Sequence, residues 1–170
     1  MSPSLLLLVA LVYVPMLVEA WLAARNEREQ RERGGVEPAG DVYRIMRVAY
    51  PAAFAAMMAE SAWDPSHSIW IAGLAVFAAS KALKWWAVAA LGRAWTFRVI
   101  VRPGVALVGG GPYRFVRHPN YVAVAGELTG LALMSGARLF GPLMTLTFCG
   151  LMLKRIVVED RALELARRES

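Results

Sequence analysis

The chain has 170 residues, enough for one domain spanning 1–170, with 58% apolar residues and a formal charge of +6. Its mean hydropathy of +0.44 and its charges, gathered in blocks between apolar runs, exclude an ordinary soluble domain (~45–50% apolar) and point to a membrane protein. A single cysteine, Cys149, excludes an internal disulfide, and with only His67 and His118 beside it the sequence offers no metal-ligand set.

A helix crossing the ~30 Å hydrocarbon core needs ~20 mostly apolar residues. Five segments approach that length: 5–24, 43–62, 69–91, 121–136 and 139–153. The first is read as a retained span rather than a signal peptide, because Met1, Ser2, Pro3 and Ser4 supply no basic flank and the apolar run continues to Ala24. Residues 25–33 then alternate acid and base up to Gly34 and Gly35. That pattern predicts a few more helical turns, solvated rather than binding anything, with i,i+4 pairs of Glu27 with Arg31 and Glu29 with Arg33, ended by glycine. The third span carries Lys81 and Lys84 near its second end, where Lys84 is placed to snorkel. Spans four and five are short, and Ser135, Gly136, Ala137 and Arg138 between them predict a tight helical hairpin. Glu19, Glu60 and Glu127 also lie in or near spans, where charge is costly. Glu127 either pairs with Lys81 or Lys84 or reaches a substrate.

Basic residues favour the cytoplasmic side. They cluster at Arg25 to Arg47, at Arg93 to Arg117 and from Lys154 onward, whereas the N-terminal stub and residues 63–68 have none. The expected arrangement has the N-terminus outside, the C-terminus inside, and all three basic regions on one membrane face.

Residues 92–120 differ from everything else, mixing Gly104, Gly109, Gly110, Gly111, Pro103, Pro112 and Pro119 with aromatics and arginines. A connection that long is more often functional than passive. Irregular backbone at membrane depth must be buried in protein or face a watery cavity, so this loop predicts a pocket at the membrane surface. Residues 99–101 and 105–108 are short extended pieces suited to lining it. Pro119 biases His118 away from helix and suits the first turn of span four. The three consecutive glycines are no dinucleotide motif, lacking both G-x-G-x-x-G and a Walker lysine.

Leu107-Val108, Gly111-Pro112-Tyr113, Arg117-His118-Pro119 and Tyr121 form one motif; Arg155, Glu159-Asp160 and Leu163 form a second after the last span. With Leu91-Gly92-Arg93 and Trp95 ahead of them, these residues resemble the isoprenylcysteine carboxyl methyltransferase family over about 92–165. The fold expected is all-α: a polytopic bundle of about five transmembrane helices, with the cofactor-binding loop and C-terminal helix at the cytoplasmic face of a bacterial inner or plasma membrane. The resemblance implies S-adenosylmethionine as cofactor, contacted by Leu107, Val108, Tyr113, His118, Pro119 and Tyr121, with Glu159 holding its ribose hydroxyls or amine. It implies that Arg155 faces the acceptor. Ala123, Asp160 and Arg98 depart from the family pattern and leave the acceptor open. Glu19, Arg25-Asn26-Glu27, Gly34-Gly35-Val36-Glu37, Glu60, Asn120 and Glu127 resemble a bacterial branch associated with O-methylation of alkylpyrones and related long-chain polyketides.

These residue types suit methyl transfer, which demands positioning and charge management. A cationic donor favours Glu159 and the tyrosine faces. An anionic acceptor favours Arg155, and His118 can serve as a base for an acceptor that is not ionised. The expected partners are a lipophilic small molecule arriving from the bilayer and membrane lipids, not nucleic acid. Three rivals remain: a membrane sterol-type reductase using NADPH, which shares the Arg-His-Pro-Asn-Tyr segment; a phospholipid N-methyltransferase; and a non-catalytic membrane scaffold. The second motif favours the methyltransferase over the reductase, and Arg155 disfavours a cationic acceptor.

Overall fold

The structure, a computed structural model, describes residues 3–63, 71–102, 105 and 108–168. It contains five helices: α1 (Pro3–Glu32), α2 (Tyr43–Trp63), α3 (Ile71–Leu91), α4 (Pro119–Ser135) and α5 (Phe140–Arg168). Among the described residues there is no strand, only an isolated antiparallel bridge between Val36 and Val101. Three helices, over Leu5–Glu32, Ile71–Ala94 and Phe140–Leu165, are long and apolar enough to cross a membrane. At 1.5 Å per residue, the 17 residues of α4 reach only ~26 Å. The all-α membrane bundle follows from these lengths, with α4 as its inner helix.

Outer and inner helices differ in which residues they cover. On α1, Leu6, Leu7, Leu17 and Trp21 stay exposed, as suits a lipid-facing surface. On α4, Ala123, Leu128, Leu131 and Met134 are buried, packed against α3, α5 and α2. Small residues let α3 and α4 approach closely, since van der Waals packing drives helix association in lipid. A Cβ on Gly130 would lie 2.6 Å from the Phe77 backbone nitrogen, and one on Gly73 would collide with the Met134 backbone. Gly130→Ala is therefore expected to destabilise the bundle by about 1–3 kcal/mol. A fall of several degrees in the detergent melting temperature would register it, whereas Gly150→Ala, whose Cβ would meet nothing, should leave melting unchanged.

The turns match the sequence signals. Gly136 sits at φ 66° and caps α4 by donating its N–H to the Ala132 and Leu133 carbonyls, as a left-handed terminal glycine does. The hairpin then starts α5 in an unexpected way. Glu60 of α2 accepts the backbone N–H groups of Leu139 at 2.9 Å and Phe140 at 2.7 Å, so a carboxylate from another helix satisfies the exposed amides of α5.

The intramembrane charges resolve into a cluster. Lys84 meets Glu19 at 2.7 Å and Glu127 at 3.3 Å; Lys81 meets Glu19 at 2.9 Å and Glu127 at 3.1 Å. The Tyr50 hydroxyl donates to Glu127. Two carboxylates and two ammonium groups thus neutralise one another, joining α1, α2, α3 and α4. Glu127 pairs with both lysines. Lys84 does not snorkel: it is 2% exposed, because two carboxylates and the Tyr50 ring, 5.2 Å away, satisfy its ammonium inside the bundle.

The charged continuation of α1 also differs from a solvated arm. Its expected pairs form, Arg31 with Glu27 at 3.2 Å and Arg33 with Glu29, and Gly34 at φ 80° follows the helix end. Asn26 and Gln30 on its other face are buried against the loop that leaves α3.

Candidate active site

The N-terminus of α4 and the middle of α5 bring the two motifs together. Pro119 opens α4, and His118 stands just before it with φ −128° and ψ 63°, outside helical geometry. Its side chain does not cap the helix; Nε2 lies 3.2 Å from Asp160 Oδ1 instead. Arg117 lies 3.7 Å from the same carboxylate oxygen. One turn in, the Tyr121 hydroxyl donates to Glu159 Oε2 at 2.7 Å, and the His118 and Tyr121 rings are 5.6 Å apart. Glu159 and Arg155 are four residues apart on α5, hence on one face. Both charges act on the Tyr121 hydroxyl.

Tyr113 belongs to a 3-10 turn at Gly111–Arg114. Gly111, at φ 59°, docks this turn on α3, where a Cβ would lie 2.7 Å from that of Ala90. Burial pushes the Tyr113 phenol well above its ordinary value, and the Glu159 charge adds to this. It stays neutral at physiological pH, a donor with an intact ring face.

Arg155 is 7% exposed. One Nη donates to the Phe97 carbonyl; the other lies 3.9 Å from Asp41 Oδ1 and from the Met46 sulfur. Its Nε is buried without a hydrogen-bond partner. Such a donor in a buried guanidinium is costly unless something else accepts from it. The Tyr43 ring lies under two guanidinium groups, Arg98 at 4.7 Å and Arg155 at 6.0 Å. Beside them is a cavity of about 330 Å³ lined by Glu37, Asp41, Tyr43, Arg44 and Arg98, among others. Burial alone would push Glu37 up, but hydrogen bonds from Arg31 and Arg98 outweigh it and hold its carboxyl below the usual range. A larger depression of about 510 Å³ follows one side of α1 between Trp21 and Arg33 and includes none of these groups.

Tyr113, His118, Pro119, Tyr121, Arg155 and Glu159 therefore gather at one end of the bundle. Val108 lies in coil just ahead of the 3-10 turn and is exposed; Leu107 lies outside the described residues. Glu127 is six residues beyond Tyr121, ~9 Å further along α4, held in the charge cluster rather than beside Arg155. Sequence reasoning missed three contributors: Asp41, Tyr43 and the Phe97 carbonyl. Asp41 left a signal, an acidic residue ahead of a helix, and its Oδ1 accepts the Tyr43 N–H at 3.0 Å while Oδ2 accepts the Val99 N–H at 3.2 Å. A backbone carbonyl leaves none.

The site could hold a cationic group that also carries hydrogen-bonding atoms: Glu159 is available as a countercharge, and Tyr113 and Tyr121 as ring faces. Asn120, between Pro119 and Tyr121, has a buried Oδ1 with no hydrogen-bond partner, an acceptor with capacity to spare.

Comparison with known proteins bears on this arrangement. Residues 71–165 match the family described as the isoprenylcysteine carboxyl methyltransferase (ICMT) family. The chain is 31% identical over 161 residues to a Bacillus subtilis (strain 168) protein described as uncharacterized protein YpbQ, covering 93% of this chain and 95% of that one. No solved structure matches it.

Proposed function

Because the chain belongs to the isoprenylcysteine carboxyl methyltransferase family, whose members are membrane methyltransferases that typically use S-adenosylmethionine, we propose that it O-methylates a lipophilic acid or enol drawn from the bilayer. The observation that carries this reading is the Tyr121 hydroxyl, bonded to Glu159 at 2.7 Å, with Arg155 one turn earlier on the same face of α5. The phenol of α4 meets a helix face that carries both a group suited to a cationic donor and a group suited to an anionic acceptor.

When bound, S-adenosylmethionine would supply an electrophilic methyl, the acceptor oxygen bonding to that carbon as the thioether leaves with the S–C electron pair. The chain's own residues do the rest. Glu159 holds a polar or cationic part of the donor, and the neutral Tyr113 and Tyr121 present ring faces to positive charge, each worth ~0.5–2 kcal/mol. Pro119 and Val108 border the donor site, and Leu107 joins them in the family pattern. Arg155 binds the acceptor's anionic oxygen through its unpaired Nε, which lowers that oxygen's pKa and keeps its lone pair available. For an acceptor arriving as a neutral enol, His118 takes the proton on Nδ1, because Asp160 faces Nε2 at 3.2 Å and stabilises the imidazolium. The same carboxylate fixes the ring's orientation. Glu127, in the charge cluster, stands apart from these steps.

Positive-inside charge supports a cytoplasmic position for this end of the bundle, with the N-terminus outside. The acceptor then reaches Arg155 from the inner leaflet, and its chain stays in the apolar layer.

Glu159→Ala tests the donor site. Calorimetry on detergent-purified protein should show at least a roughly tenfold weaker S-adenosylmethionine affinity, a loss of ~1.4 kcal/mol; unaltered affinity would remove Glu159 from the site. Transfer of radiolabelled methyl to a long-chain 4-hydroxy-α-pyrone or to N-acetyl-S-farnesylcysteine tests the acceptor class. Label recovered on an amine lipid alone would contradict it.

A further inference from the structure

Asn26 lies in the charged continuation of α1, yet it is 0% exposed. A buried amide persists where its hydrogen bonds are met, and here they go to the loop that builds the site. Nδ2 donates to the Gly92 carbonyl at 3.1 Å and to the Trp95 carbonyl at 2.8 Å. Arg25 donates to Oδ1 at 3.4 Å, which fixes which side of the amide faces those carbonyls. One turn on, Gln30 Nε2 donates to the Arg93 carbonyl at 2.8 Å. These carbonyls belong to the 3-10 turn at Gly92–Ala94 and the residue that caps it, where the chain leaves α3 and helical partners run out.

From there the path to Arg155 is short. Trp95 packs edge-on against Phe97, ring centroids 5.2 Å apart, and the Phe97 carbonyl receives an Nη of Arg155. Two residues later the Val99 N–H donates to Asp41, whose other oxygen lies 3.9 Å from Arg155. The backbone held by Asn26 is continuous with the backbone that orients the guanidinium. The Tyr121, Glu159 and Tyr113 side of the site hangs on α4, α5 and the later 3-10 turn, and the Asn26 hydrogen bonds described above go to none of these.

We propose that Asn26 is a positioning residue for acceptor recognition: by clamping the Gly92 and Trp95 carbonyls it fixes residues 95–99, and through them the direction of Arg155. The clamp is a feature of the fold; its effect on the acceptor rests on the role of Arg155 proposed above.

Asn26→Asp keeps the size of the side chain and replaces a two-bond donor with an acceptor facing two carbonyls. Three measurements on the full-length protein in detergent decide the matter. Amide hydrogen exchange should quicken over 95–99 and stay unchanged over 113–121. The KM for whichever probe is methylated, hydroxypyrone or farnesylcysteine, should rise roughly tenfold while S-adenosylmethionine affinity stays within about twofold. In an Arg155→Lys background the same change should add less than about threefold, since residues acting through one another are not additive. A purely structural asparagine would lower the melting temperature and leave KM of the folded fraction unmoved. That result, equal losses for donor and acceptor, or effects that multiply in the double variant, would overturn the proposal. If the wild type methylates neither probe, the acceptor reading fails by itself; the exchange arm still stands, and unchanged exchange over 95–99 would remove the clamp. Should Asn26→Asp not fold, Gln30→Leu removes the neighbouring donor and carries the same three measurements.

Discussion

Arg155→Met is expected to lower kcat/KM for methyl transfer by roughly 10²–10³-fold, about 3–4 kcal/mol, while S-adenosylmethionine affinity changes by less than about twofold. The asymmetry follows from where the guanidinium stands. Its partners are the Phe97 carbonyl, Asp41, the Met46 sulfur and the Tyr43 face, a set separate from the Tyr121 bond that Glu159 accepts. Removing it does not leave Asp41 bare, because that carboxylate keeps its bonds from the Tyr43 and Val99 amides. The folded enzyme should therefore survive to be measured. Arg155→Lys should restore only part of the activity, since an ammonium cannot reach the carbonyl and present a second donor in the same plane. Comparable loss of donor affinity in Arg155→Met would move Arg155 into the cofactor site. Wild-type kcat/KM would make it an ordinary positive-inside arginine.

The largest stability effect is expected at Lys84→Met. The substitution leaves Glu19 and Glu127 sharing one ammonium, that of Lys81, at a depth where solvent does not help. Lys84, Glu19 and Glu127 are each at most 2% exposed. Breaking a buried pair by removing one partner costs about 3–5 kcal/mol, which in a chain of this size lowers the melting temperature by roughly 6–20 °C. Lys84→Met combined with Glu127→Gln restores neutrality, one carboxylate facing one lysine, and should recover more than half of the loss. A single substitution that melts like wild type would mean that water reaches the cluster.

Much of this architecture was legible because it rests on local patterns. Apolar run length located all five helices, glycine marked the ends of α1 and α4, and the i,i+4 charge pairs of the α1 continuation formed as spacing requires. The site motifs were legible for a related reason: Tyr121 follows a helix-starting proline, and Arg155 and Glu159 share a helix face, so each motif could be placed on its own element. The partners between elements were not legible. Lys84 sits seven residues from the end of α3, which sequence alone reads as snorkelling distance; only the three-dimensional meeting of α1, α3 and α4 gives it two carboxylates. Asn26 and Gln30 occur in a run of charges and read as solvated, because the carbonyls they bind lie more than 60 residues away. Glu60 reads as an intramembrane charge until the amides of α5 are found beneath it.

The proposed donor site is open to one direct measurement. Isothermal titration of the detergent-purified wild-type protein with S-adenosylmethionine, and separately with NADPH, asks which cofactor the Tyr113, His118, Tyr121 and Glu159 cluster accepts. Saturable heat with S-adenosylmethionine at one site per chain, and none with NADPH, is the predicted result. Heat with NADPH alone would contradict the account and make the same residues a hydride-transfer site.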